Sequence, residues 1–423
     1  MCWVDALTIR VWLARAAIEG ESAAMSRPPI PRDPEEVTAQ WMQQALTAGG
    51  RPDLSPVSEI AREEIGSGAG FMGTIVRCRL WYDEAKAPGE QNRCAPATVI
   101  VKLPSPLAKN RRLGKRLGLH RRECDFYRLI ALQAPVRSPA LLYGDYEAGS
   151  DRFVLVLEDL GGWQTVSHFD GASAEQTRRA IRAIARLHGA YWNRTDQPPL
   201  NRFTDSFSTR RRMLIQLVYL SNLAPTLERF GGYFSDDMRR LAEIYASRID
   251  SQIVRIAAGP KTLSHGDFRL DNIFFAADGR DEIALIDWQV SGLRSPLFDV
   301  AFFLVGSVTT EVRRRIEREV LEEYTEIIGE MGVKGFTFEA CWRLYREHSL
   351  ANLLVMVLAC GGLALEEERR RQVVEVGLQR VLTAVEDLDG GECVPGPAPL
   401  FSRGRALAAF SRGAYGVVKA LRG

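Results

Sequence analysis

The sequence predicts an α+β protein of two lobes, a β-rich first part and a mainly helical second part with a cleft between them. Three observations carry that expectation. Residues 74–82, 98–103 and 152–157 are short runs rich in Val, Ile, Leu and aromatic side chains, the composition of strands. After Gly161-Gly162 the chain turns helical, and in 174–192 Ile181, Ile184, Leu187 and Tyr191 recur on one helical face. Finally, 423 residues, 46% hydrophobic and 26% charged, suffice for a large soluble core and for two or three domains.

Taken in order, residues 1–24 read as a start-site extension ahead of Met25, or as a short helix docking through Trp3, Leu7, Val11 and Ala14. Asp5, Arg10 and Arg15 interrupt the apolar stretch, which does not fit the expected pattern of a signal-peptide core. Pro28, Pro29, Pro31 and Pro34 give an extended lead-in. Asp33, Glu35 and Glu36 then open a short helix through Trp41, Met42 and Leu46. From about Ile60 the reading is β. Residues 109–132 read as one helix, with Leu117, Phe126, Leu129 and Ile130 inward. Further helices are expected over 236–257, 312–331, 338–359 and 366–388.

Lys and Arg number 55 against 53 Asp and Glu, a net charge of +2 that gives no global reason to propose nucleic acid as a partner. Of the 55 basic residues 48 are Arg, so each of the seven lysines is easier to interpret. The seven cysteines are scattered, with no Cys-x-x-Cys pair, which fits a reducing cytoplasm better than a disulfide framework or zinc site. No apolar run reaches the ~18 residues of a membrane span.

The chemistry concentrates in HGDFRLDN (265–272) and LIDWQ (285–289). Asp267 stands five residues before Asn272, and an apolar strand then delivers Asp287. Phosphoryl transfer needs these groups. One carboxylate orients the attacking hydroxyl and takes its proton, while an amide oxygen and a second carboxylate hold Mg²⁺ against phosphates. The H-x-D-x-x-x-x-N spacing matches a kinase catalytic loop, with Gly266 where protein kinases carry Arg. In sequence and spacing these segments resemble the aminoglycoside phosphotransferase and choline kinase superfamily, particularly its ecdysteroid-kinase-like members.

That resemblance implies a protein-kinase-like fold, ATP and Mg²⁺ as cofactors, and a small-molecule alcohol as acceptor. It makes Asp267 the catalytic base and Asn272 and Asp287 the metal ligands. Gly68, Gly70 and Gly73 fit a G-x-G-x-x-G phosphate loop that opens a strand, not a helix. Lys102 ends the apolar strand Val99-Ile-Val-Lys and would contact phosphates, held by Glu123 of the R-E-x-x-F-Y segment, with Asp125 the nearby competitor. Backbone groups around Glu158–Leu160 would meet the adenine edge, which leaves GTP open beside ATP. Asp299 reads as a helix N-cap or a brace for the catalytic loop. Arg269 would reach a phosphate or make an internal salt bridge.

The expected division is 1–48 extension and short helix, 49–160 kinase-like N-lobe, 161–392 helical C-lobe with the catalytic loop, and 393–423 basic amphipathic tail. In 401–423, Arg405, Arg412 and Lys419 oppose Leu407, Phe410, Val418 and Leu421, a pattern that fits docking on the protein itself or weak contact with anionic lipid. The alternatives for function are an aminoglycoside- or choline-type kinase, a protein kinase, and a non-catalytic pseudokinase. Asp299 follows Asp287 by only twelve positions, which leaves little room for an activation segment. Aromatics at Phe203, Phe207, Tyr219, Phe230, Tyr233, Phe234, Tyr324, Phe338, Trp342 and Tyr345 offer a core or an acceptor wall, and with no dense acidic patch they point to an alcohol with an apolar body, steroid-like or hydroxyacyl. Oligomeric state is not legible.

Overall fold

The computed structural model describes residues 27–65, 73–83, 95–203, 209–362 and 368–396. Residues 1–24, Gly68, Gly70, Phe207 and the tail 401–423 lie outside them. The chain divides into two compact units. Unit 1 comprises the described residues up to Gly162 together with Ile286–Val290, and unit 2 the described residues of Trp163–Leu285 and those from Ser291 onward.

In unit 1 the strands β1 (Val57–Ile65), β2 (Gly73–Tyr82), β3 (Thr98–Pro104), β4 (Leu141–Glu147) and β5 (Arg152–Glu158) form one sheet in the order β1-β2-β3-β5-β4, each neighbouring pair antiparallel. Period-two alternation sorts β3: Val99, Val101 and Leu103 are fully buried in the core cluster, while Lys102 turns to the other face. Helix α1 (Ala39–Ala48), N-capped by Thr38, adds Trp41, Met42, Ala45 and Leu46 to that cluster. The predicted helix at 109–132 is two helices, α2 (Ala108–Leu117) and α3 (Leu119–Leu129), because Gly118 takes a left-handed φ of 66° between them. That break leaves Leu117 outward, and Leu129, in the last turn of α3, is outward as well, both against expectation, while Phe126 and Ile130 are inward.

Unit 2 is helical around two short ribbons. Its helices are α4 (Ala174–Ala190), α5 (Thr209–Phe230), α6 (Asp236–Ala246), α7 (Ile249–Ala257), α8 (Leu297–Gly306), α9 (Thr310–Glu330), α10 (Phe338–Gly362) and α11 (Glu368–Asp387). Ser173 and Gln176 close a capping box on α4, which buries Ile181, Ile184 and Leu187 as its periodicity requires; Tyr191 falls just past its end. The expected helix over 236–257 breaks at Ser247-Arg248, where the Ser247 hydroxyl donates to the Ile244 carbonyl. Strand β6 (Thr262–Ser264) pairs with β9 (Gly292–Arg294), and β7 (Ile273–Phe275) with β8 (Ile283–Leu285). Segment 265–272 connects the two ribbons, and 286–291 joins β8 to β9. No helix among the described residues is long and apolar enough to cross a membrane. Among the described residues, the five cysteines are buried and free.

Candidate active site

Unit 1 gathers three of the expected groups. Lys102 Nζ donates to Glu123 Oε1 at 2.5 Å and to Asp287 Oδ1 at 3.2 Å. Burial opposes the ammonium charge, but the carboxylates of Asp287 and Glu123 outweigh it and hold the Lys102 pKa above its ordinary value. Glu123, not Asp125, is the partner; Asp125 pairs with Arg121 at 3.6 Å. Helix α3 makes this cluster with one face. Glu123 reaches Lys102, and Phe126, one turn on, stacks on the buried Trp288 with centroids 3.6 Å apart. Asp287 itself has φ 65°, a strained conformation for an aspartate, and Gln289 Nε2 donates to its Oδ2 at 3.1 Å. The Tyr127 hydroxyl, buried without a hydrogen-bond partner among the described residues, has its pKa raised by burial and by the charges of Glu123 and Asp287.

Upstream on the same helix, buried His120 is 2.9 Å from Asp151 Oδ2 through Nδ1, and Asp151 Oδ1 accepts from the Tyr146 hydroxyl at 2.9 Å. His120 also stacks on Phe153. This network fixes the turn that precedes Glu123. Gly73 begins β2 opposite Pro104, two residues from the Ile75–Lys102 pair, so the glycine segment feeds the sheet at the Lys102 end of β3. A Cβ on Gly73 would lie 2.7 Å from the Leu103 carbonyl oxygen, a close approach that only glycine allows. The Glu158 carboxylate is held by Arg137 at 2.5 Å and by the Ala140 N–H at 3.0 Å, and its own N–H donates to the Ala140 carbonyl. Leu160 is buried, and between them Asp159 pairs with Arg77 at 2.8 Å.

Unit 2 holds the loop 265–272. Asn272 Nδ2 donates to the Asp267 carbonyl and to Asp267 Oδ2, both at 2.9 Å, which turns its amide oxygen the other way. Arg269 lies 3.3 Å from Asp267 Oδ1 and 2.6 Å from Asp271 Oδ2, the internal salt bridge of the two readings. Gly266 has φ 86°, which explains glycine at a position where a side chain would be strained.

Helix α8 holds this loop with one face. Asp299, in its first turn, is fully buried and takes four hydrogen bonds: Ser264 Oγ (2.9 Å) and Gly266 N–H (2.9 Å) on Oδ1, and His265 N–H (2.7 Å) and His188 Nε2 (3.2 Å) on Oδ2. Burial works against that carboxylate's charge, but His188, His265 and the Gly266 N–H outweigh it and hold its pKa below the ordinary value. Four residues on, Phe303 packs on Phe268 (5.1 Å), and four further on Ser307 Oγ accepts from the Leu270 N–H at 3.3 Å. Asp299 is thus the brace. His188, Ser264 and Ser307 are the site residues that sequence reasoning missed, and their only signal is a polar residue inside an apolar stretch.

Most aromatics considered for an acceptor wall are core. Tyr219, Tyr324 and Tyr345 are fully buried, with hydroxyls bonded to the Ala242 carbonyl, His188 and Glu317. Trp342 is half-buried beneath Arg318. A cavity of about 150 Å³ in unit 2 is lined by Ile215, Ile253, Ile256, Phe298 and Leu354, with the Ser295–His348 pair on its wall.

The family model described as the ecdysteroid kinase-like family matches residues 67–332. Acyl-CoA dehydrogenase family member 10 of Mus musculus is 49% identical over 41 residues, 10% of this chain and 4% of the mouse protein. Among solved structures, a putative aminoglycoside phosphotransferase from Ralstonia eutropha aligns with 14% identity over 82% of this chain and 98% of its own (TM-score 0.47). An ethanolamine kinase of Plasmodium vivax aligns with 14% identity over 86% and 95% (TM-score 0.47), and a choline kinase of Cryptosporidium parvum with 11% over 79% and 92% (TM-score 0.46). With its model matched from the glycine segment through α9, the chain belongs to the ecdysteroid kinase-like family.

Proposed function

We propose that the protein is an ATP- and Mg²⁺-dependent phosphotransferase acting on a hydroxyl group of a small molecule. The observation that carries this is the Lys102 ammonium held between Glu123 and Asp287. A cation fixed on a rigid strand by two carboxylates, one of them strained and still partly exposed, suits a polyphosphate bound with a metal. Asn272 and Asp287 offer the hard oxygen donors that Mg²⁺ takes alongside phosphate oxygens. When bound, Mg·ATP supplies the phosphoryl group and neutralises the charge that develops in its transfer.

The chain's own residues do the rest. Lys102 binds phosphate oxygens, and Glu123 keeps its ammonium in place. Asp267 accepts the acceptor's hydroxyl proton, and Asn272 and Arg269 restrict that carboxylate to one orientation. Gly68, Gly70 and Gly73 cover phosphates with backbone N–H groups, and the backbone around Glu158 and Leu160 takes the base. The sequence has no dense acidic patch to suit a polycationic acceptor, which supports an alcohol with an apolar body, steroid-like or hydroxyacyl. Calorimetry with ATP and Mg²⁺ tests the metal assignment. Asp287→Ala is expected to weaken Mg²⁺-dependent ATP binding by about tenfold or more, and unchanged affinity removes Asp287 from that role.

A further inference from the structure

Helix α2 leaves nearly all of its side chains in solvent. Within it only Gly114 is buried, against the His120 ring. Leu113 and Leu117 are 47% and 37% exposed, and Leu107, just before the helix, 52%. Single exposed leucines need no explanation, but these three sit within eleven residues of a strongly cationic segment. Residues 105–122 contain seven Lys and Arg and no Asp or Glu.

The cations divide by direction. Arg111 donates to the Ser105 and Pro106 carbonyls of the helix's own lead-in, and Lys115 to the Gly149 carbonyl, which ties the helix to the turn between β4 and β5. Lys109, Arg112 and Arg116 are exposed, as is Lys115, and Arg112 donates to the Ala108 carbonyl one turn back in its own helix. At 100° per residue they border the stripe made by Leu113 and Leu117. A pre-formed helix therefore offers an apolar strip and a cationic strip side by side on one outer face.

We propose that this face docks the protein on an anionic lipid bilayer, with the leucines entering the headgroup–acyl boundary and Lys109, Arg112 and Arg116 against acidic headgroups. Nucleic acid would satisfy the cations but leave the leucines in water, and the stripe carries no aromatic side chain on which a base could stack. A bilayer surface satisfies both strips. Docking there would hold the protein where alcohols with apolar bodies partition.

Flotation of the full chain tests this with vesicles of phosphatidylcholine alone and of phosphatidylcholine mixed with phosphatidylserine. The wild type should float with the mixed vesicles only. Lys109→Glu, Arg112→Glu and Arg116→Glu together should weaken that partition by about a hundredfold or more, near fivefold per charge. Leu113→Gln with Leu117→Gln, at unchanged charge, should weaken it by about tenfold. Wild-type flotation in both variants overturns the proposal, because the tail 401–423 is intact in each. Loss on charge reversal with no leucine effect, joined to competition by a DNA duplex or RNA, also overturns it and makes the face a nucleic-acid site.

Discussion

Helices α3 and α8 both present one face to a segment of the candidate site, and they hold it by different means. On α3, Glu123 and Phe126 grip side chains: an ammonium shared with Asp287 and the Trp288 ring. On α8, Asp299, Phe303 and Ser307 hold chiefly backbone, at Gly266, His265 and Leu270, with one ring contact between. The first arrangement keeps charge near solvent, with the Asp287 side chain 24% exposed, and suits a site that exchanges a charged ligand. The second buries one carboxylate completely inside four hydrogen bonds and suits a loop that must not move. Ligand affinity should therefore depend on α3, and stability on α8.

The largest expected effect falls on α8. Asp299→Ala leaves the N–H groups of His265 and Gly266 and the Ser264 hydroxyl buried without their acceptor, and should cost about 3–5 kcal/mol of stability. Denaturant unfolding measures it; a loss near 1 kcal/mol would mean that the loop does not rely on this brace. On α3 the contrast reverses. Lys102→Met should lower ATP affinity by about 10–100-fold, the worth of a charged hydrogen bond; its loss of stability should be smaller because Asp287 retains solvent and burial, which already raises the Glu123 pKa, lets Glu123 take up a proton in place of its cation. Calorimetry beside thermal melting separates the two, and a stability loss equal to that of Asp299→Ala would erase the distinction.

A weaker effect sharpens the picture of the α8 surroundings. Burial lowers the His348 pKa to about 4, with the Asp299 charge opposing, while in the unfolded chain it is near the ordinary 6.5. Between those values the unfolded chain binds more protons, so stability rises with pH and is lost as pH falls from about 6.5 toward 4. His348→Gln should flatten part of that slope, at most about 1.4 kcal/mol per pH unit, in melts across the window. An unchanged slope would show that the imidazole is not held neutral.

What was legible in the sequence was chemistry carried by short spacing. Asp267 and Asn272 are five residues apart and bond to each other directly, so their register is local. Lys102 stood out as a scarce cation on an apolar strand, which needs a partner wherever it folds. Partners brought together by tertiary packing were harder to read. His188 and Ser264 join Asp299 across 111 and 35 residues, and nothing local marks them. Strand β1 went partly unread because Glu59, Arg62, Glu63 and Glu64 mask it, as charges do on an edge strand. Gly118 lies inside the expected helix 109–132, and its left-handed φ splits that helix and reverses the facing of Leu117.

The central claim, phosphoryl transfer to a small alcohol with Asp267 as base, is tested most directly by ADP release and product mass. The wild type and Asp267→Asn would be assayed with ATP and Mg²⁺ against amino-sugars, choline-like amines, sterols, hydroxyacyl compounds and a generic protein substrate. The expected result is ADP formed one for one with a phosphorylated small alcohol. In Asp267→Asn, turnover should fall by about 10²–10⁴-fold while ATP affinity is unchanged. Stoichiometric phosphorylation of the protein substrate with no response to any small alcohol, or wild-type turnover in the variant, would contradict it.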